Sequence, residues 1–289
     1  MSMKAPAIAI LTDFGTSDSF AGVLKGVILQ NAPGIPVVDL THDIPPGDIR
    51  RAAVLLWQTA PYFPAGTVFL AIIDPGVGTS RKPLILQKEN DETGFTFIGP
   101  DNGLFTLVAS PEYHAWELQN RSLALPDPTN TFHGRDIFAP AAAHAAMGIR
   151  GPEFGLPVLN PVRLDYPRLG LKSSGSLCGE ILFPDHFGNY LTSIGLFKRT
   201  GEGDLLFKPW LPGAGEMRLP GDDLQLILPD GARLSLVNTF NDIPPGRCAV
   251  LIGSSGLLEI ASNRQSAAQI LHLKPGDPVE LSSVTIEKS

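Results

Sequence analysis

The sequence predicts a two-part protein of the α/β class. It has an N-terminal parallel-sheet α/β domain over residues 1–160, a linker over 161–173 and a smaller C-terminal β-barrel domain over 174–289. Three observations carry this expectation. In the first half, short apolar runs alternate with segments of helical period. Pro152, Pro157, Pro161 and Pro167 then interrupt that grammar. Beyond them, short β-like runs dominate, punctuated by Gly, Pro, Asn and Asp.

Ala7–Leu11 is the first apolar run, closed by the polar loop TDFGTSD. From Asp18 the period changes. Phe20, Val23, Leu24, Val27 and Ile28 fall at i, i+3, i+4, i+7 and i+8, one face of a helix, which Pro33 and Gly34 stop. Val37–Leu40 is the second strand. Asp48 is placed to cap a second helix with the apolar face Ile49, Ala52, Ala53 and Leu56. Val68–Ile73 is the third strand, and the alternation implies parallel strands covered on both faces. Leu84–Gln87 and Phe95–Ile98, on either side of KENDETG, form a hairpin-like pair. The alanine-rich His133–Gly148, with Phe138, Ala141, Ala142 and Ala145 on one face, reads as a helix closing the domain. Ser176–Phe183, Tyr190–Ile194, Gln225–Leu228, Arg233–Val237, Ala249–Ile252 and Val279–Ile286 supply the strands of the barrel.

Of 289 residues, 43% are hydrophobic and 18% charged, ordinary globular composition with ample material for a core. The net charge of −7 and the absence of a Lys/Arg cluster exclude a nucleic-acid footprint. An acidic surface suits a cationic ligand, though only weakly. Cys178 and Cys248 make neither a disulfide framework nor a zinc pattern; two buried thiols in a cytoplasmic protein are expected. The apolar run near the N-terminus is too short for a signal segment, and no stretch approaches the ~18 apolar residues of a membrane span.

Three strands end in loops rich in acids, glycine and hydroxyls: Thr12-Asp13-Phe14-Gly15, Thr41-His42-Asp43 and Asp74-Pro75-Gly76-Val77-Gly78. In an open parallel sheet, ligands bind at the carboxyl ends of strands. Asp13 is either a turn residue bonding its own backbone or a carboxylate accepting both hydroxyls of a ribose. Asp18 and Ser19 sit where a helix cap belongs. Asp74, with Arg81 seven residues on, is a candidate ion pair in a cleft. His133 opens the last helix of the domain, and Asp101-Asn102-Gly103 is a turn signal. In the second half, Asp185-His186-Phe187-Gly188-Asn189 lies between two β-runs. Its Asn189 carboxamide offers a purine both donor and acceptor. Ser254-Ser255-Gly256 is a turn, or a set of hydroxyls and amides that holds a carboxylate.

Taken together, TDFGTSDSFAG, VVDLTHDIPPGDI, GTVFLAIIDPGVGTSRKPL, IGPDNGLF, TFHGRDIFAP, DHFGN and SSGLLEIA span both domains. The sequence that carries them resembles the SAM hydroxide adenosyltransferase family, the adenosine-forming hydrolases of S-adenosyl-L-methionine (SAM) related to fluorinase and chlorinase. The resemblance implies an N-terminal α/β domain, a C-terminal β-barrel and a homotrimer with sites between subunits. It implies a catalytic Asp74, Arg81 and His133, with Asp13 on the ribose and Asn189 on adenine. Asp185 and Ser254 would meet the methionine end, and Asp18 and Ser19 would line the same region. Halogenating relatives carry an uncharged residue where Asp74 stands, so an aspartate there favours water over a halide. They also carry an arginine where Ser255 stands, which leaves the methionine carboxylate contact open.

The implied reaction is attack of water at the ribose C5′, giving adenosine and L-methionine with SAM as substrate and no cofactor or metal. Two other classes share parts of the pattern. TDFGTSD superficially matches the acidic cluster of calcium-dependent nucleoside hydrolases, yet Asp13 and Asp18 lack a companion Asp close by. A non-catalytic SAM or adenosine binder would use the same pocket, but has no use for an Asp, Arg and His set. The expected partners are the small-molecule substrate and further copies of the chain, with neither nucleic acid nor membrane.

Overall fold

A computed structural model of the protein describes residues 5–88, 91, 94–201, 203–221 and 223–283. The chain divides into two units, Met1–Leu164 and Asp165–Ser289.

The first unit is built on strands β1 (Ile8–Thr12), β2 (Val37–Thr41), β3 (Val68–Ile72), β4 (Pro83–Lys88), β5 (Thr96–Pro100) and β6 (Tyr113–Glu117). Their order in the sheet is β2-β1-β3-β5-β4-β6. The first four in that order are parallel, as the alternation predicts, and β4 and β6 add antiparallel pairs at one side. Strand pleating sends successive side chains to opposite faces, and each face has its own core. Ile8, Ile10, Val68, Leu70 and Ile72 pack with α1 (Phe20–Asn31) and, once past α2 in the chain, α3 (Ala139–Ala146). Ala9, Leu11, Phe69, Ala71 and Ile73 pack with α2 (Ile49–Thr59) through Ala52, Ala53 and Leu56. Asp48 caps α2 as expected, its side chain accepting the Arg51 N–H at 3.0 Å. The expected helix over His133–Gly148 has two parts: a π turn, Gly134–Phe138, and then α3. A short α4 (Gly151–Phe154) follows.

The second unit is antiparallel. Strands β7 (Gly170–Leu171), β8 (Leu177–Pro184), β9 (Tyr190–Thr192), β13 (Leu224–Ile227), β14 (Arg233–Ser235), β15 (Cys248–Ile252), β16 (Leu258–Ser262) and β17 (Pro278–Ser283) form one sheet in the order β14-β13-β17-β8-β9-β16-β15, with β7 against β8. The first half of β8 pairs with β17 and the second half, from Ile181, pairs with β9 through an irregularity between Ile181 and Phe183. Such a bulge bends a strand and lets a sheet curl. A bridge between Leu236 and Val250, with Val237 N–H donating to Val250 O at 2.8 Å, brings the two ends together into a barrel. Strands β10 (Phe197–Arg199), β11 (Leu205–Phe207) and β12 (Met217–Leu219) make a separate small sheet, and α5 (Ala267–Leu271) follows β16.

Residues of the expected linker make defined contacts. Val162 N–H donates to the Asp101 carboxylate at 2.7 Å and Leu164 N–H to the Thr106 hydroxyl at 2.9 Å, whereas Gly170–Leu171 belong to the barrel. Residues 284–286 of the last expected strand lie outside the described residues. Cys178 and Cys248 are free thiols, half-buried rather than buried. Among the described residues no helix is long and apolar enough to cross a membrane.

Candidate active site

Buried strand β3 delivers Asp74 at its carboxyl end. Its place is fixed from the neighbouring turn, where the Asn102 side chain donates to the carbonyl of Ile73 at 2.7 Å. The chain then folds back through the Pro-Gly loop, and Arg81 returns to Asp74. Arg81 Nε donates to Asp74 Oδ1 at 3.0 Å and Nη2 to Oδ2, a two-pronged pair of side chains each only 7% exposed. The guanidinium also lies 5.3 Å over the Phe138 ring. Nη2 reaches His133 Nδ1 at 3.1 Å, so the three residues are brought together. Nη1 is buried, and no described residue accepts its protons.

A guanidinium only donates, so His133 Nδ1 accepts, and the neutral ring carries its proton on Nε2. Burial, and then the charge of Arg81, hold the His133 pKa below its ordinary value, against the pull of Asp74 and Asp136. The segment before His133 is pinned from both sides. Asp136, buried in the π turn, accepts from Thr129 N at 2.8 Å and Thr129 Oγ1 at 2.7 Å. Gly78, at φ +77°, lies so close to the Asn130 carbonyl that a Cβ would stand 2.7 Å from it. Only glycine satisfies both the backbone and the contact.

After β1, Asp13 is half-buried and its Oδ2 accepts the Gly47 N–H at 2.9 Å. Nearby, Phe14, Phe20 and Phe132 form an edge-on aromatic cluster with centroids 5.3–6.0 Å apart. Asp18 and Ser19 are exposed at the start of α1, and Ser19 makes no side-chain cap there.

Asp185, Asn189 and Ser254 belong to the second unit. Asp185 accepts from Asn189 N at 2.8 Å and from Asn189 Nδ2 at 3.1 Å, so Asn189 keeps its carbonyl oxygen and one N–H for another partner. Asn189 is buried at the edge of a cleft of about 800 Å³ lined also by Phe187, Phe240, Arg264 and Ile270. Ser254 is exposed in the β15–β16 turn, and next to it the Ser255 hydroxyl is buried with no partner among the described residues. Glu259 rests against Gly253, so closely that a Cβ there would fall 1.8 Å from its Oε1. Burial, and then the charge of Asp185, push the Glu259 pKa up.

Sequence reasoning missed Asn102, Asp136, Glu259 and Phe240. Asn102, Asp136 and Glu259 stood within quoted motifs, but what each touches is set by the fold and not by the motif. Among the described residues no group of three or more His, Cys, Asp or Glu is arranged to hold a metal ion.

Comparison with known proteins identifies the family. Residues 8–155 match the SAM hydroxide adenosyltransferase N-terminal domain and residues 179–280 the C-terminal domain of the same family. The chain is 39% identical to the (R)-S-adenosyl-L-methionine hydrolase of Thermus thermophilus, over 95% of this chain and 98% of the relative. It is 31% identical to a fluorinase of an Actinoplanes species, over 94% and 95%. An uncharacterized conserved protein from Thermotoga maritima has a crystal structure that superposes with a TM-score of 0.79 at 32% identity, covering 95% of this chain and all of that one. On both its domains, the chain belongs to the SAM hydroxide adenosyltransferase family.

Proposed function

We propose that this chain hydrolyses SAM: water attacks the ribose C5′ and methionine leaves, giving adenosine and L-methionine. The observation that carries this reading is Arg81. Two of its arms hold Asp74 and one of them also holds His133, while Nη1 stays buried and unspent. A buried N–H without an acceptor costs about 1–3 kcal/mol, and an oxygen beside Asp74 relieves that cost. A water molecule held there has a guanidinium donor on one side and a carboxylate acceptor on the other.

The chemistry asks little else of the protein. As the O–C5′ bond forms, the C5′–S bond breaks, its electron pair passes to sulfur, and the sulfonium leaves as a neutral thioether. No general acid is needed. The water must lose one proton. The Nδ1 of His133 is occupied by Arg81 and its Nε2 already bears hydrogen, which leaves Asp74 as the acceptor on the way to solvent. His133 Nε2–H serves to orient the water or the carboxylate. Alignment of water with C5′ can contribute about 7–11 kcal/mol. A carboxylate beside the nucleophile disfavours a halide, and the fixed charge of Arg81 disfavours a metal ion, so the reaction proceeds without cofactor.

In this reading Asp13 grips the ribose hydroxyls, and the cleft at Asn189 takes adenine. Asp185 and Ser254 hold the methionine end, with Asp18 and Ser19 at its margin. The Asp185 carboxylate beside Glu259 suits the cationic substrate. The working form is a cytoplasmic homotrimer with its sites at subunit interfaces. Exposed Leu156, Leu159 and Val162 are apolar surface of the kind a partner covers. The test is product analysis in ¹⁸O-water: adenosine and methionine form in equal amounts, with the label in the adenosine 5′-hydroxyl. Adenine, S-adenosylhomocysteine, or a 5′-halogenated nucleoside in fluoride or chloride would overturn it.

A further inference from the structure

Of the three polar loops at strand ends, the one after β2 has no part in the chemistry above. Its His42 is 5% exposed. Ring Nδ1 lies 2.8 Å from Thr12 Oγ1, and Nε2 lies 3.1 Å from Asp39 Oδ1. Lys25 Nζ binds the other Asp39 oxygen at 2.5 Å. Burial works to raise the Asp39 pKa, but the bonds from Lys25 and His42 outweigh it and hold the carboxyl below its usual value. Nε2 faces the Asp39 carboxylate at ion-pair distance but out of hydrogen-bond alignment, and the bond between Nδ1 and the Thr12 hydroxyl forms with either partner as donor, as the ring tautomer sets.

The bond to His42 holds Thr12 in place. Thr12 Oγ1 also accepts the N–H of Phe14 at 3.2 Å. The carbonyl of His42 accepts the N–H of Gly15 at 2.8 Å. Asp13 is therefore bracketed by bonds that lead to one residue: Thr12 before it, Phe14 and Gly15 after it. The order Asp39, His42, Thr12 is that of a hydroxyl-activating triad. Thr12, however, has no exposed surface, so its hydroxyl cannot meet a substrate. The arrangement acts on conformation.

We propose that His42, through the Thr12 hydroxyl, is a positioning residue that holds the Asp13 carboxylate in register with the ribose diol. This rests on Asp13 gripping the ribose, and it explains why a buried, hydrogen-bonded imidazole stands at the end of a strand that supplies no reacting group.

The test is calorimetric binding of two nucleosides, adenosine and 2′,3′-dideoxyadenosine, to the full chain and its variants. The unaltered protein prefers adenosine. His42→Gln removes the ring nitrogen facing Thr12, and each of His42→Gln and Thr12→Val loses at least about tenfold of that preference, or 1.4 kcal/mol. Affinity for the dideoxy nucleoside is unchanged, a pattern that a general loosening of the fold would not give. Thr12→Ser, which restores the hydroxyl, keeps the preference. Should His42→Gln fail to fold, the Thr12 pair carries the comparison alone. If Thr12→Val retains the preference, or Thr12→Ser loses as much as Thr12→Val, the positioning role is wrong. If the unaltered protein does not discriminate between the nucleosides, the ribose reading of Asp13 falls, and this proposal with it.

Discussion

Replacing Asp74 by alanine separates what the Asp74–Arg81 pair does for folding from what it does for chemistry. Both side chains are 7% exposed, and two charge-assisted hydrogen bonds join them. Removing the carboxylate strands a buried guanidinium that already has one arm without a partner among the described residues. Breaking a buried pair from one side costs about 3–5 kcal/mol, and at about 2–4 °C per kcal/mol the melting temperature falls by on the order of 10 °C. Adding Arg81→Met removes the stranded charge while keeping an unbranched apolar stem against Phe138, so the double variant regains most of the lost stability. Turnover does not return, because the group that takes the proton is gone. Denaturant unfolding measures the first quantity, and chromatographic detection of adenosine at saturating SAM measures the second. Recovery of both together in the double variant would falsify the assignment, since Asp74 would then be a structural counter-ion only.

Three further outcomes are expected. Activity survives EDTA, because Arg81 and not a cation faces the nucleophile; loss on chelation with recovery on adding calcium or zinc would refute this. Light scattering finds a trimer in the active preparation, and an active monomer excludes sites shared between subunits. The lowered pKa of His133 makes its contribution to stability complete above the ordinary histidine value of 6.5, and that contribution is lost as pH falls from there through the depressed value. In denaturant titrations across that window, His133→Gln flattens the decline; an unchanged slope shows that the ring does not titrate as described.

How much of this was legible in the sequence follows from the range of the interactions. Leu24, Val27 and Ile28 repeat at helical spacing and are buried as that spacing requires. Phe20 shares the pattern but is 45% exposed, drawn into the cluster with Phe14 and Phe132. Asp13 and Asp74 stand out in the sequence because the ends of parallel strands are where ligands bind. Strands β10 to β12, of three residues each, are too short for any period to register. β6 reads Tyr-His-Ala-Trp-Glu, with no clean alternation to mark it. The hydrogen bond from Asn102 to the carbonyl before Asp74 spans 29 residues, and the one from Arg81 to His133 spans 52. Each is decided by how the sheet brings distant loops together, which local composition does not encode.

The π turn at Gly134–Phe138 puts His133 out of phase with the helix that follows. One residue beyond the α-helical complement shifts everything upstream by about 100° around the axis. A regular helix traced back from α3 would therefore present a different side chain to Arg81. The extra residue lies beside the proposed catalytic His133, and such bulges are common at functional sites. In aligning distant relatives, phasing on the alanine-rich helix alone would misplace the histidine by one position. The reliable anchor is the pair of contacts on either side of the bulge: Arg81 on His133 before it, and Arg81 over Phe138 at its end.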